Sequence, residues 1–155
     1  MTDSLEKYKN FEFLDPGVLV DDELELIVKE KNPFNPEKRF VPAYRFNMVH
    51  TKSRAVMGTI DLRVGLTEKL KKYGGHIGYE VDEKFRGNRY AARSCRLLLP
   101  LIRRLGINPA VITCDPQNIP SAKTIESLGA KLIDSKLVEI EPGVYRMTSV
   151  YHWYL

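Results

Sequence analysis

The sequence predicts an α/β domain, α+β in its arrangement, with a mixed sheet of six or seven strands around one central β-α-β unit. Three observations predict it. A short strand, His76-Ile77-Gly78-Tyr79-Glu80-Val81, leads through the turn Arg86-Gly87-Asn88-Arg89-Tyr90-Ala91 into a helix reaching Leu105. Ala91, Cys95, Leu98, Ile102 and Leu105 recur along that helix at i, i+3 and i+4, which marks one core-facing side. A β-branched run, Ala110 to Cys114, then reads as a buried strand parallel to the first, with the helix as its crossover.

The other elements follow in chain order. Residues 1–17 are polar with a few aromatics and end in the turn signal Asp15-Pro16-Gly17, so a short helix and an arm fit equally. Leu24 to Lys31 alternates as a first strand. Lys31 to Pro42 is a loop whose prolines exclude helix and central strand. Tyr44 to Met48 alternates cleanly, and His50 to Arg54 is turn-like. Val56 to Val64 places Ile60, Leu62 and Val64 on one face and Thr59, Asp61 and Arg63 on the other. After a basic loop, Gly65 to Gly75, the strand at His76 completes three consecutive antiparallel strands. On the long helix, Arg89, Arg93, Arg96 and Arg103 lie opposite the apolar stripe. Pro100 shares that outer side, where a kink costs least, and Gly106 is a C-cap. A short helix runs from about Ser121 to Gly129. Ala130 to Ile140 and Tyr145 to Leu155 form the last two strands around Glu141-Pro142-Gly143, with Tyr145, Met147, Ser149, Tyr151, Trp153 and Leu155 on one face. This aromatic face can pair with a second subunit, giving a homodimer, or pack inside one core.

A chain of 155 residues fits one domain with a real core, residues 1–155. The formal charge is +4, and much of the excess sits on one helix. No zinc pattern and no basic run with interleaved aromatics points to nucleic acid, and a small acidic ligand explains the local charge equally well. Cys95 and Cys114 have neither metal nor disulfide spacing and read as reduced thiols; no metal is expected. No signal peptide is legible in the charged stretch Met1 to Asn10, and no apolar run reaches about 18 residues. A cytoplasmic protein without a membrane segment is the expectation.

The turn at Arg86 carries the chemistry. A strand that opens a helix leaves backbone N–H groups unpaired at the positive end of the helix dipole, which suits an anion. Gly87 lets a ligand approach the backbone, and Arg86, Arg89 and Arg93 add guanidinium charge of the kind that suits phosphate oxygens.

This stretch resembles the GNAT superfamily of acyl-CoA N-acyltransferases. Their signature, Gln/Arg-x-x-Gly-x-Gly/Ala after a strand, reads here Arg86-Gly87-Asn88-Arg89-Tyr90-Ala91. A second block, Asn118-Ile119-Pro120-Ser121 followed by Glu126-Ser127-Leu128-Gly129-Ala130, is similar to the family's Asn-x-x-Ser and Glu-Lys-x-Gly-Phe. The Asn-x-x-Ser style is that of the ribosomal-protein N-terminal acetyltransferase subgroup. The resemblance implies a GNAT-like fold and transfer of an acetyl group from acetyl-CoA to a primary amine, by direct attack in a ternary complex. The acceptor is a small-molecule or a protein amine. The basic loop from Lys69 to Lys72 favours an acidic one.

The resemblance also implies roles. Tyr79, Glu80 and Val81 would pair with the pantetheine arm as an extra strand, with an N–H near Tyr79 or Glu80 serving the oxyanion. The diphosphate would lie on Arg86, Gly87, Asn88, Arg89, Tyr90 and Ala91. Asn118 would bond the arm, with Ser121 beside it, although a helix N-cap suits Asn118 too. Glu80 is the candidate base, with His76 and His50 as alternatives. Tyr79, Tyr145 or water would protonate the leaving thiol, and an acyl-Cys at Cys114 is a further route. The chain departs from the family at three places. The central Gly falls at Arg89, which at ordinary helical angles would point away or reach a phosphate. The helix tyrosine of many members is Ile125. The two helices that usually follow the first strand are replaced by the loop Lys31 to Pro42, which implies an open or differently built acceptor pocket. The rival readings are a non-catalytic acyl-CoA-binding sensor and a nucleic-acid binder using the arginine face.

Overall fold

The alternating runs build one sheet. The structure, a computed structural model, describes residues 4–155. Its strands are β1 (Leu19–Asp21), β2 (Leu24–Asn32), β3 (Ala43–His50), β4 (Val56–Arg63), β5 (Ile77–Val81), β6 (Ala110–Cys114), β7 (Lys131–Glu141) and β8 (Val144–Trp153). The order is β1-β2-β3-β4-β5-β6-β8-β7, with β5 and β6 parallel and every other pair antiparallel. The helices are α1 (Glu68–Lys72), α2 (Tyr90–Leu97), α3 (Leu99–Arg104) and α4 (Ile119–Ser127).

Strand register carries one apolar row across the sheet: Tyr44 faces Leu62, Leu62 faces Ile77, Ile77 faces Ile112 and Ile112 faces Tyr151. The next row, Phe46, Ile60 and Tyr79, lies on the same face, because side chains alternate with period two. Cys95, Leu98, Leu101 and Ile102 from α2 and α3 pack in the same buried cluster. Each large side chain buried there contributes about 1.5–3 kcal/mol. The opposite face carries Arg45, Asp61, Arg63, Gly78, Glu80 and Thr113, and α1 covers part of it near β8.

Several expectations are corrected. There are eight strands rather than six or seven, because β1 is three residues long, too short to show alternation. The basic loop 65–75 contains α1, capped by Thr67, whose hydroxyl accepts the Leu70 N–H at 3.1 Å. The single helix to Leu105 is two, parted at Leu98. Pro100 sits in the first turn of α3, where its missing N–H is no loss, so it starts a helix rather than kinking one. The first segment is both of its alternatives, a 3-10 turn at Ser4–Tyr8 and then an arm. Tyr44 Oη pins that arm, accepting the Leu14 N–H at 2.8 Å and donating to its carbonyl at 3.1 Å. The last strand is buried from Thr148 to Tyr151, whereas Tyr145 and Met147 are exposed. Lys31 to Pro42 carries no helix, and its turn is closed by an Asn35–Phe40 bridge.

Candidate active site

The site begins where β5 leaves β6. The two share the register pair Ile77↔Ile112 and then part. Below that pair the chain is held tightly. Gly75 has φ +60, and a Cβ there would lie 2.4 Å from the Val111 carbonyl oxygen. His76 N donates to that same oxygen at 2.7 Å, while His76 Nδ1 accepts the Val111 N–H at 2.9 Å. His76 is buried, and burial first, then the charges of Arg63 and His152, pulls its pKa from 6.5 to about 4. It is not the surface residue the sequence allowed. It is a neutral ring that replaces a ladder bond at the root of the opening. His50 holds its turn by accepting the N–H groups of Lys52 and Ser53.

Above the pair, β5 still bonds β4. Arg63 N donates to His76 O and Asp82 N to Met57 O, so the even residues of β5 turn their backbone toward β4. Tyr79 and Val81 therefore direct N–H and C=O to the open edge, and Arg86 Nε already occupies Val81 O at 3.0 Å. Glu80 has its backbone toward β4 and an exposed side chain on the polar face.

A cleft of about 340 Å³ passes through this opening. Tyr79 lies in it, its hydroxyl 2.9 Å from Ser121 Oγ and 3.4 Å from Ser121 O. Burial keeps that phenol protonated, raising its pKa, with the Ser121 bond a smaller opposing effect. Cys114 is half-buried beside it, and burial raises its thiol too, so it is no ready nucleophile. Burial pushes Cys95, inside the core, up to about 12. Asn118 is the N-cap of α4, its Oδ1 accepting the Ser121 N–H at 3.2 Å, and the residue lines the cleft. Ile125 is fully buried. Tyr145 is exposed on the β7–β8 hairpin and is not among the residues that line the cleft.

The turn before α2 has a left-handed backbone at Gly87, φ +94, and at Arg89, φ +60 and ψ 29. Arg89 is thus not at ordinary helical angles. It occupies a conformation that favours Gly. It is the N-cap of α2 without a side-chain cap bond, so the N–H groups of Tyr90, Ala91 and Ala92 open the helix. Asn88 Nδ2 folds back to Phe85 O at 3.1 Å. Tyr90 is buried, donating to Glu23 Oε2 at 2.8 Å. Arg93 reaches the loop, its Nη1 donating to Asn88 O at 3.3 Å, but its charge is taken up by carboxylates. Its Nε meets Asp21 Oδ2 and its Nη2 meets Glu23 Oε1, both at 2.7 Å. Those bonds, with that from Tyr90, hold the Glu23 carboxyl at about 2. Arg93 ties the β1–β2 turn to the loop.

On the polar face a larger cleft, about 840 Å³, lies between the 32–45 segment, α1 and the end of β4. Arg63 walls both clefts. The sequence reading missed Arg63, Thr113 and Arg146 as cleft residues. The available signal was a charged residue on the polar face of a strand beside the opening.

The chain matches the model of the acetyltransferase (GNAT) domain over residues 11–131. It belongs to that family. The chain is an acyl-CoA-dependent N-acetyltransferase with acetyl-CoA as its co-substrate. No curated protein matches the sequence. Among solved structures it is similar to a Vibrio cholerae protein assigned as a ribosomal-protein-serine acetyltransferase, at 15% identity and TM-score 0.66, over 92% of this chain and 100% of that one. It is also similar to RimL, a ribosomal alpha-N-protein acetyltransferase bound to coenzyme A, at 17% identity and TM-score 0.67, over 89% and 98%. For the microcin self immunity acetyltransferase MccE with acetyl-CoA and AMP, the values are 20% and 0.59, over 73% of this chain and 61% of that one. At such identities the likeness is one of fold. Among the described residues no helix lies between β2 and β3, where the resemblance implies two. Among the described residues no helix is long and apolar enough to cross a membrane, and no cluster of acidic, His and Cys residues could hold a metal.

Proposed function

We propose that the pantetheine arm of acetyl-CoA enters the 340 Å³ cleft and that a neutral primary amine attacks the thioester directly from the polar face. The observation that carries this reading is the Tyr79 hydroxyl, half-buried in the cleft against Ser121 where β5 leaves β6. The Tyr79 C=O, the Val81 N–H and the Asn118 amide hold the arm. The first-turn N–H groups of α2, with Arg86, Gly87, Asn88 and Arg89, receive the diphosphate. The Tyr79 N–H serves the carbonyl oxygen as its charge develops. The C–N bond forms, the C–S bond breaks, and the thiolate takes a hydrogen bond from Tyr79 Oη. The ammonium proton leaves through water to Glu80, and the departing thiolate gains one from solvent, so the protons balance. The names of the similar proteins support a protein alpha-amine as acceptor.

Tyr79→Phe should lower kcat about 10²-fold, the typical loss for one donor aimed at developing charge, with acetyl-CoA affinity by calorimetry kept within threefold. An unchanged kcat would remove Tyr79 from the chemistry.

A further inference from the structure

We infer that Arg63 selects the acceptor: the amine carries a carboxylate only a few bonds away, and the guanidinium binds it. The inference rests on the site proposed above. Arg63 ends β4 on the polar face and stands in the wall shared by the larger cleft, where an acceptor has room, and the smaller one. Its Nη1 donates to Gly74 O and Gly75 O, each at 3.1 Å. Among the described residues no acceptor meets its Nε or Nη2. Its nearest carboxylate is already used, because Asp61 takes Arg45 Nε at 2.8 Å and Nη2 at 3.0 Å. Asp61 still lends Arg63 counter-charge at a distance, but among the described residues no carboxylate bonds its guanidinium. Burial weakens its hold on the proton; the Asp61 charge opposes this and the Arg45 charge adds to it. A half-buried guanidinium with open donors fits a carboxylate and repels a second cation.

The position limits the size of the acceptor. A Cβ on Gly78 would stand 3.9 Å from Arg63 Nη1, so the guanidinium lies against the residue just before Tyr79. One strand residue spans about 3.4 Å. A carboxylate on Arg63 and an amine at the thioester are therefore a few bonds apart, as in an amino acid or an acidic residue at a peptide N-terminus. Gly78 has no side chain to bar the path. Arg146 on the rim of the smaller cleft and Lys38 and Lys69 on that of the larger add charge of the same sign, set against Asp115 in the smaller and Glu68 in the larger.

The test measures kcat and KM for free alanine against alaninamide, and for a peptide amide beginning with Asp against one beginning with Asn. These two arms separate the free amino acid from the peptide end. Wild type and Arg63→Gln are compared, with the acetyl-CoA Kd reporting that the fold is kept. A charge-assisted hydrogen bond of about 1.5–3 kcal/mol implies an acid-over-amide preference of at least about tenfold, expressed in KM. In Arg63→Gln that ratio should fall to about one, and Arg63→Lys should restore part of it. Equal use of acid and amide by wild type, or a preference that survives Arg63→Gln, would overturn the inference. Tyr79→Phe run alongside tells the two proposals apart, since loss of the Tyr79 role leaves the acid-to-amide ratio readable. Absence of acetyl-CoA binding would overturn both.

Discussion

The two ends of the opening are built differently. At the turn before α2, the groups that can meet a ligand are backbone N–H groups. The side chains there mostly bond back into the fold: Arg86 to Val81, Asn88 to Phe85, Tyr90 and Arg93 to Glu23. On the polar face around Arg63 the reverse holds. The backbone is engaged in the sheet, and a side chain with unused donors faces the space. A site made of backbone depends on where φ is positive and where strands part, and it tolerates replacement of side chains. A site made of side chains depends on each residue. The first end should fail when the backbone path is obstructed, and the second when one charge is removed.

The largest effect should come from the root of the opening. In Gly75→Ala the new Cβ would meet the Val111 carbonyl at 2.4 Å, with backbone and not a flexible side chain as the obstacle. It would also sit at φ +60. The left-handed conformation alone costs about 1–2 kcal/mol, and moving β6 adds to it, so about 3 kcal/mol or more of stability should be lost. Denaturant unfolding measures this directly, and acetyl-CoA binding should weaken with it because β5 and β6 no longer part at the same place. A loss under about 1 kcal/mol would mean that the root is compliant and that the opening is set elsewhere.

Acid should loosen the same root through His76. Its folded pKa is about 4 against an ordinary 6.5. Between those values the unfolded chain binds a proton that the folded chain refuses. Stability is therefore retained above pH 6.5, falls as the pH drops toward 4, and levels off below that. The full span is worth about 3 kcal/mol. Unfolding curves of wild type and His76→Gln across pH 4 to 7 should converge as the pH falls, since the variant lacks this titration. Parallel curves would assign the acid sensitivity to other groups.

This contrast also explains what could be read from the chain alone. The β-α-β unit, the Arg86 turn and the Asn118 cap were legible because each depends on local periodicity or on a residue type with a fixed conformational use. The left-handed Arg89 was not, since an L-residue there breaks the local preference and tertiary contacts decide. The retention of Arg93 by Asp21 and Glu23 joins positions some 70 residues apart, and no spacing within a helix encodes it. His76 looked like a loop residue because nothing local says that its ring replaces a backbone partner. Arg63 stood in plain alternation with Asp61 and Thr59. Its significance depends on Asp61 being consumed by Arg45 across the strand pair, which is a fact of register.

The smallest effect, and the sharpest probe of the backbone end, is Arg89→Gly. Arg89 holds φ +60 at a cost of about 1–2 kcal/mol for a side chain with a Cβ, and Gly removes that cost while adding about 0.5–1 kcal/mol of unfolded-state entropy. The net gain should be about 0.5–1 kcal/mol, a rise of a few degrees in Tm for a domain of this size. Arg89→Ala should show no such gain, because alanine keeps the Cβ. If backbone N–H groups dominate the diphosphate site, Arg89→Gly should bind acetyl-CoA within about threefold of wild type, since one exposed charge is worth about 0–1 kcal/mol. A tenfold loss on calorimetric titration, recovered when salt is lowered, would mean that the guanidinium itself reaches the phosphates. The Arg86 turn would then belong with the Arg63 face, as a site made of side chains.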